Sequence, residues 1–178
     1  LSFAQKNLIV YPVAFIPAML YASAKSRFDE NFTPAVPVDS NRFGRLGGAA
    51  IAVIVSIATI AAAFITDAAN HFMPPMPPDL EQIMKSLLEA PLWITLISVS
   101  IFAPFFEEWL CRGMILRGLL KKTSPAAAIC ISAIVFALIH FNPWQAIPAF
   151  TLGLLFGFVY YRTGSLKLTM LMHCVNNT

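Results

Sequence analysis

The stretch from Leu46 to Ala69 reads LGGAAIAVIVSIATIAAAFITDAA and contains a single charged side chain, Asp67. As an α-helix with a rise of about 1.5 Å per residue it would extend about 36 Å. This length exceeds the hydrocarbon core of a bilayer, which is roughly 30 Å thick. The stretch therefore predicts a transmembrane helix, and it indicates that the rest of the chain folds in lipid.

The composition of the whole chain agrees with this prediction. Of its 178 residues, 58% are hydrophobic and only 12% are charged, whereas a soluble domain usually has about a quarter charged residues. The net charge of +3 is small and dispersed, which argues against nucleic acid as a partner. The three cysteines lie in apolar stretches without CxxC spacing, so the sequence indicates neither a disulfide framework nor a zinc knuckle.

Six apolar segments follow one another along the chain, separated by charged residues and proline. They cover about Leu8–Ala24 (interrupted by Pro12 and Pro17), Leu46–Ala69, Pro91–Leu120, Pro125–Phe141, Trp144–Tyr161, and a last segment that begins near Leu166. A proline-rich loop and a short amphipathic stretch, Leu80–Glu89, lie between the second and the third. We therefore predict an all-α, polytopic transmembrane helical bundle of about six spans, forming a single domain over residues 1–178.

The connections between these segments alternate in charge. Basic residues occupy the first, third and fifth connections: Lys25, Arg27, Arg42, Arg45, Lys121, Lys122, Arg162 and Lys167. The second connection is mainly acidic and the fourth, Asn142–Pro143, has no charge. Because Lys and Arg accumulate on the cytoplasmic side, we expect the three basic connections to face the cytoplasm.

The third segment contains two adjacent carboxylates, Glu107 and Glu108, inside an apolar helix. Glu108 and Arg112 are four residues apart with the acid first, which favours an ion pair within the helix. Glu107 projects about 100° away and has no evident partner in its own turn. Intramembrane acids are typically functional, so Glu107 is a candidate general base.

The fourth segment places a histidine opposite this carboxylate. If segments three and four form a hairpin that turns around Lys121–Ser124, position 123.5 falls within the turn, and Glu107 and His140 are each 16.5 residues from it. In an antiparallel helix pair the two residues would lie at the same depth. We therefore predict that they meet in the bundle.

The last segment adds His173 and Asn177, which are four residues apart and share a helical face. His173 follows Lys167 by six residues, or about 9 Å along a helix. This distance places it in the cytoplasmic half of the membrane.

Three motifs occur in order at the ends of these segments: EExxxR, FxxxH and HxxxN. They are formed by Glu107, Glu108 and Arg112; by Phe136 and His140; and by His173 and Asn177. The ordered trio resembles the CAAX-protease and bacteriocin-processing superfamily, which includes the type II CAAX prenyl endopeptidases. The motifs lie in residues 87–178, which would form the catalytic core, whereas residues 1–86 contain helices without a motif.

The resemblance implies a bundle of about eight helices, so the chain, which starts without Met and stops within an apolar stretch, is expected to be a fragment. It also implies intramembrane proteolysis without a metal. Glu107 would activate a water with the help of His140, and His173 and Asn177 would form the oxyanion hole. Glu108 and Arg112, together with Phe136, would support the site.

These observations favour an intramembrane endopeptidase in a prokaryotic inner membrane, acting on a peptide or a membrane protein of the CAAX or bacteriocin-processing type. A non-catalytic immunity or scaffold protein is an alternative, and a proton-relay transporter is a weaker one because no inverted second copy of the site occurs. A zinc site formed by Glu107, His140 and His173 is a further alternative. The absence of HExxH and the suitability of Asn177 as an oxyanion donor favour the metal-free site. The sequence does not indicate an oligomeric state.

Overall fold

The apolar segments, bounded by proline, glycine and charge, become the helices of the structure. The computed structural model describes residues 3–30 and 38–178, and within these ranges it contains helices and no strand. In chain order the helices are α1 (Phe3–Glu30), α2 (Gly47–Asn70), α3 (Pro78–Leu88), α4 (Leu92–Leu119), α5 (Pro125–Leu138), α6 (Pro143–Thr163) and α7 (Leu166–Asn177). The prediction of an all-α bundle is confirmed.

Four of these helices are long and apolar enough to cross a bilayer. The qualifying stretches are Leu8–Lys25, Gly44–Ala68, Leu92–Leu119 and Pro143–Thr163. Helix α5 has 14 residues and α7 has 12, so they extend only about 21 Å and 18 Å. The chain is therefore an integral membrane protein with several spans, and all six predicted segments are helical.

Two helix boundaries differ from the prediction. Helix α1 runs through Pro12 and Pro17 and continues to Glu30 instead of ending near Ala24, because prolines are tolerated in membrane helices whose neighbours satisfy the freed backbone groups. Residues 31–37 of the predicted polar connection lie outside the described residues. Helix α5 ends at Leu138, so the next residues form a turn in which Phe141 adopts a φ of 48°.

Two glycines allow α5 and α6 to pack closely. A Cβ at Gly153 would lie 3.1 Å from the Cα of Ala133, and one at Gly157 would lie 3.1 Å from a methyl carbon of Ile129. Small residues four apart are a common way for membrane helices to approach each other. This close packing places the carbonyl of Gly153 near α4.

Helix α2 covers the other side of α6 and α7. Val55 of α2 packs with Phe156 of α6 and Met172 of α7 in one buried cluster. The N-terminal half of the chain therefore contributes to the same core as the motif-bearing half.

Helix α4 departs from regular α geometry on both sides of its acidic pair. The turns are widened, with i→i+5 hydrogen bonding, over Leu96–Phe102 and Trp109–Leu116, whereas Ala103–Glu108 between them is α-helical. Widened turns of this kind frequently occur at functional sites.

The segment before α2 fixes the start of α7. Asp39 Oδ1 accepts hydrogen bonds from the backbone N–H groups of Leu166 at 2.7 Å and Lys167 at 3.3 Å. The N–H of Ser40 donates to the carbonyl of Gly164 at 2.7 Å. Gly164 adopts a φ of 67°, and a Cβ there would collide with the hydroxyl of Ser40. Residues 39–40 thus cap the helix that contains His173 and Asn177.

We predict that Asp39→Ala lowers the free energy of unfolding by about 1 kcal/mol at neutral pH, because it removes a helix cap. Partial burial of the Asp39 carboxyl opposes its ionisation, but hydrogen bonds from Lys167 and Leu166 and the charge of Lys167 outweigh this effect and hold the pKa of Asp39 below its ordinary value of 3.8. A group whose pKa is lowered by folding stabilises the fold above its unfolded-state pKa and loses this contribution as pH falls through the folded-state value.

The destabilisation should therefore be present at pH 7 and disappear in acid below the lowered pKa of Asp39, where the wild-type carboxyl is protonated too. Thermal unfolding in detergent at both pH values measures it, with Asp67→Ala as the control at an exposed carboxylate. An equal loss at both pH values would contradict the role of the ionised cap.

Candidate active site

A cavity of about 620 Å³ lies within the bundle, bounded by α1, α3, α4, the end of α5 with the turn after it, α6 and α7. All four residues predicted to carry the chemistry line it: Glu107, His140, His173 and Asn177. The structure thus brings the predicted site residues to one place.

The predicted ion pair between Glu108 and Arg112 is formed. Both side chains have no exposed surface, and Arg112 Nη1 donates to Glu108 Oε1 at 2.7 Å. Arg112 Nη2 donates to the carbonyl of Gly153 at 3.0 Å, and the guanidinium lies 4.5 Å from the ring centroid of Phe136. One guanidinium therefore connects α4 with α5 and α6.

His173 lies between the two carboxylates. Its Nδ1 is 3.1 Å from Glu108 Oε1, and its Nε2 is 3.9 Å from Glu107 Oε2. The rings of Phe136 and Phe156 contact the imidazole at centroid distances of 5.3 and 5.8 Å. A carboxylate at Nδ1 favours the tautomer with the proton on that nitrogen, which leaves Nε2 directed at Glu107. The contact between Glu108 and His173 was not predicted, because it depends on the rotation of α7 about its axis.

Glu107 is nearly buried, with 8% of its surface exposed. Its Oε1 accepts a hydrogen bond from the hydroxyl of Tyr11 at 2.8 Å. Its Oε2 is buried and has no hydrogen-bond partner in the described part of the chain. The sequence analysis did not identify Tyr11 as a site residue. A single tyrosine in an apolar segment without a motif does not reveal which residue it will bond.

His140 follows the end of α5 and turns back onto it. Its Nδ1 lies 2.7 Å from the carbonyl oxygen of Phe136, and the two rings meet edge to face at 5.1 Å. His140 and Glu107 share the cavity as the hairpin symmetry predicts, but no hydrogen bond or ion pair joins them within residues 3–30 and 38–178. The two residues therefore meet at one cavity without bonding directly, since α5 ends at Leu138 and the imidazole bonds to the carbonyl of Phe136 in the last turn of its own helix.

The side chain of Asn177 completes the hydrogen bonding of α4. The N–H of Ala103 donates to the carbonyl of Ser98, and Pro104 has no N–H. Neither residue therefore donates a backbone hydrogen bond to the carbonyl of Val99. Asn177 Nδ2 donates to that carbonyl at 2.9 Å. An amide nitrogen has two N–H groups, and one bond to Val99 therefore orients the side chain while its second N–H remains.

Among the described residues, no three His, Cys, Asp or Glu side chains are grouped so that they could hold a metal ion. Glu107, His140 and His173 all belong to the described residues. The three cysteines are all free, and Cys111 is buried.

The fold and the site define a polytopic membrane protein with a partly buried glutamate–histidine–asparagine cluster, and comparison with known proteins agrees. Residues 89–178 match the family described as Type II CAAX prenyl endopeptidase Rce1-like. This match covers half of the chain and all three motifs, and the chain belongs to this family. The family predicted from the motifs is confirmed.

One relative is the protein named "Putative membrane peptidase YdiL" from Bacillus subtilis (strain 168). It is 30% identical over 98 residues, which are 55% of this chain and 39% of the relative. The chain thus matches about two fifths of the length of that relative. No solved structure matches the chain.

We predict that Arg112→Lys destabilises the protein by about 2 kcal/mol, because a lysine cannot bond Glu108 and the Gly153 carbonyl in the same planar geometry. Thermal unfolding in detergent measures the effect. Arg162→Lys, at an exposed arginine near the end of α6, is the matched control and should unfold like the wild type. Equal melting temperatures for the two variants would show that the double contact of Arg112 does not matter.

Proposed function

We propose that this protein is an intramembrane endopeptidase that hydrolyses a peptide bond with a water molecule activated by Glu107. The observation that carries the proposal is the unpartnered Oε2 of Glu107, which faces His173 in a cavity that His140 and Asn177 also line. Membership in the CAAX endopeptidase family supports peptidase activity. The glutamate mechanism rests on the site itself.

In the proposed reaction Glu107 Oε2 takes a proton from the water, and His140, which lines the same cavity, helps to hold the water. The hydroxide adds to the carbonyl carbon of the substrate, and the electron pair moves to the carbonyl oxygen. When the C–N bond breaks, the leaving amine takes up the proton held by Glu107. A base that remains next to the reacting atoms serves both steps.

The developing oxyanion needs donors that are already in place. The second N–H of Asn177 is one, since its partner N–H is fixed on Val99. His173 supplies the other in the state in which Nε2 carries a proton, because Nδ1 is then held on Glu108 while Nε2 donates into the cavity. These donors, Glu107 and a water suffice for amide hydrolysis, and we propose that the reaction uses no metal.

The walls of the cavity suggest the class of substrate. Apart from the polar cluster they are mainly apolar, including Val10, Phe15, Leu80, Ile83 and Met84. A volume of about 620 Å³ is within the usual range for ligand pockets. We propose a peptide or membrane-protein segment with apolar side chains or a lipid group beside its scissile bond, of the CAAX or bacteriocin-processing type.

A non-catalytic immunity or scaffold protein is the second candidate, and one observation favours it. Arg112, Glu108 and His173 form a hydrogen-bonded network that joins α4, α6 and α7. Such a network stabilises a bundle without any reaction. It does not, however, use Oε2 of Glu107.

We predict that Glu107→Gln lowers cleavage by about 10³-fold and His140→Ala by about 10²-fold, in line with the loss of a general base and of a group that positions water. The assay uses the purified full-length protein in proteoliposomes with a library of membrane-peptide substrates. Glu89→Gln and His71→Ala change exposed residues of the same types and should retain wild-type cleavage.

Specific results of this assay would contradict the proposed mechanism. Full cleavage by a folded Glu107→Gln variant would contradict the hydrolase mechanism, and no cleavage by the wild type on any substrate would favour the scaffold. Washing with a chelator should leave the activity unchanged. Stoichiometric zinc together with chelator-sensitive activity would overturn the metal-free mechanism.

We also propose that the cavity extends from mid-membrane towards the non-cytoplasmic face. The sequence predicts a site in the cytoplasmic half, and His173 is indeed only about 10 Å along α7 from its start. The lining, however, includes α3 residues and the Phe141–Asn142 turn. These lie at the bundle end opposite the three basic connections, which the positive-inside rule assigns to the cytoplasm.

A cysteine at Phe141, of which 92% is exposed, should therefore react with a membrane-impermeant maleimide from the non-cytoplasmic side. Right-side-out and inverted bacterial membrane vesicles provide the two faces, in a background in which the native cysteines are replaced by serine. Lys122→Cys is the control and should react from the cytoplasmic side. Reaction of Phe141→Cys from the cytoplasmic side alone would contradict the orientation.

A further inference from the structure

Tyr11 is the residue of α1 that reaches the proposed general base. It lies outside residues 89–178, which match the family, yet its hydroxyl donates to Glu107 Oε1 at 2.8 Å. It also lines the same cavity as the histidines. The first helix thus contributes a polar group to a site whose motifs all belong to later helices.

An aromatic cluster holds this tyrosine in place. Its ring stacks on Phe106 with a centroid distance of 6.1 Å and an interplanar angle of 11°, and on Phe15 at 5.7 Å. Phe15 and Phe106 are themselves 5.5 Å apart. Because Phe106 directly precedes Glu107, the cluster fixes α1 against the turn of α4 that contains the carboxylate.

The hydrogen bond makes the two oxygens of Glu107 different. Oε1 is occupied by the tyrosine hydroxyl, whereas Oε2 has no hydrogen-bond partner among the described residues and is 3.9 Å from His173 Nε2. A carboxylate with a single anchored oxygen cannot rotate freely about its terminal bond. Anchoring Oε1 in this way fixes the position of Oε2, and it keeps this oxygen within reach of the proton that it would remove.

We propose that Tyr11 is a positioning residue that anchors Oε1 of Glu107 and thereby presents Oε2 to the water. The inference rests on the proposed function of Glu107. It assigns to the N-terminal helix a role in the reaction that the family motifs do not contain.

Tyr11→Phe isolates the hydroxyl, because phenylalanine keeps the stacking with Phe15 and Phe106. We expect kcat to fall about ten-fold or more, as for the loss of a hydrogen bond to a charged group, with KM unchanged within about two-fold. Tyr21→Phe on the same helix is the matched control, since Tyr21 is 72% exposed, and it should retain wild-type kinetics. The melting temperature of each variant shows whether the fold is intact.

A double-mutant cycle tests whether Tyr11 acts through Glu107. In Glu107→Asp the shorter side chain moves the carboxylate away from the hydroxyl, so Tyr11→Phe should then cost little or no further kcat. An equal loss of kcat in both backgrounds, or a raised KM with kcat unchanged, would overturn the positioning role.

The failures of the two proposals are distinguishable in this experiment. Wild-type cleavage by Glu107→Gln would defeat the proposed function and this inference together. Loss of cleavage in Glu107→Gln with unchanged kcat in Tyr11→Phe would defeat this inference alone.

Discussion

Placing a guanidinium and carboxylates inside a bundle that faces lipid is costly unless each charge finds partners in the protein. The pair formed by Glu108 and Arg112 meets this constraint through contacts with three other helices. Arg112 contacts Phe136 of α5 and the Gly153 carbonyl of α6, and Glu108 contacts His173 of α7. The close packing at Gly153 and the orientation of His173 are both arranged around this pair. The neighbouring Glu107 takes no part in this pair and is the residue that we propose as the general base.

The helix that supplies His173 and Asn177 is held at both ends by groups from elsewhere in the chain. At its start Asp39 caps the backbone N–H groups of Leu166 and Lys167. At its end Asn177 bonds to the carbonyl of Val99. Helix α7 has only 12 residues, and these two attachments set its depth and its rotation. The positions of both proposed oxyanion donors follow from them.

The parts of the site that could be predicted from the sequence depend on distances along the chain. The pair of Glu108 and Arg112 follows from a separation of four residues, and the common depth of Glu107 and His140 follows from a short hairpin. The unpredicted contacts depend on how each helix is rotated against its neighbours. The bond from Tyr11 to Glu107 and that from His173 to Glu108 are of this kind, since no local pattern encodes the rotation. Pro104 does break the hydrogen bonding of α4, but its sequence position does not reveal that Asn177 would bond to the carbonyl of Val99.

The division of the chain into a half without motifs and a half with them describes the sequence better than the structure. Val55 of α2 packs with Phe156 and Met172, Tyr11 of α1 bonds the proposed base, and Asp39 caps α7. The motif-bearing half supplies the charged and polar groups, and the N-terminal half supplies contacts that orient them. Because lipid cannot replace a missing hydrogen-bond donor or acceptor, residues 87–178 alone would leave Glu107 Oε1 without the hydroxyl of Tyr11. The N–H groups of Leu166 and Lys167 would likewise lose the carboxylate of Asp39. A site in lipid therefore requires more of the chain than its motifs indicate.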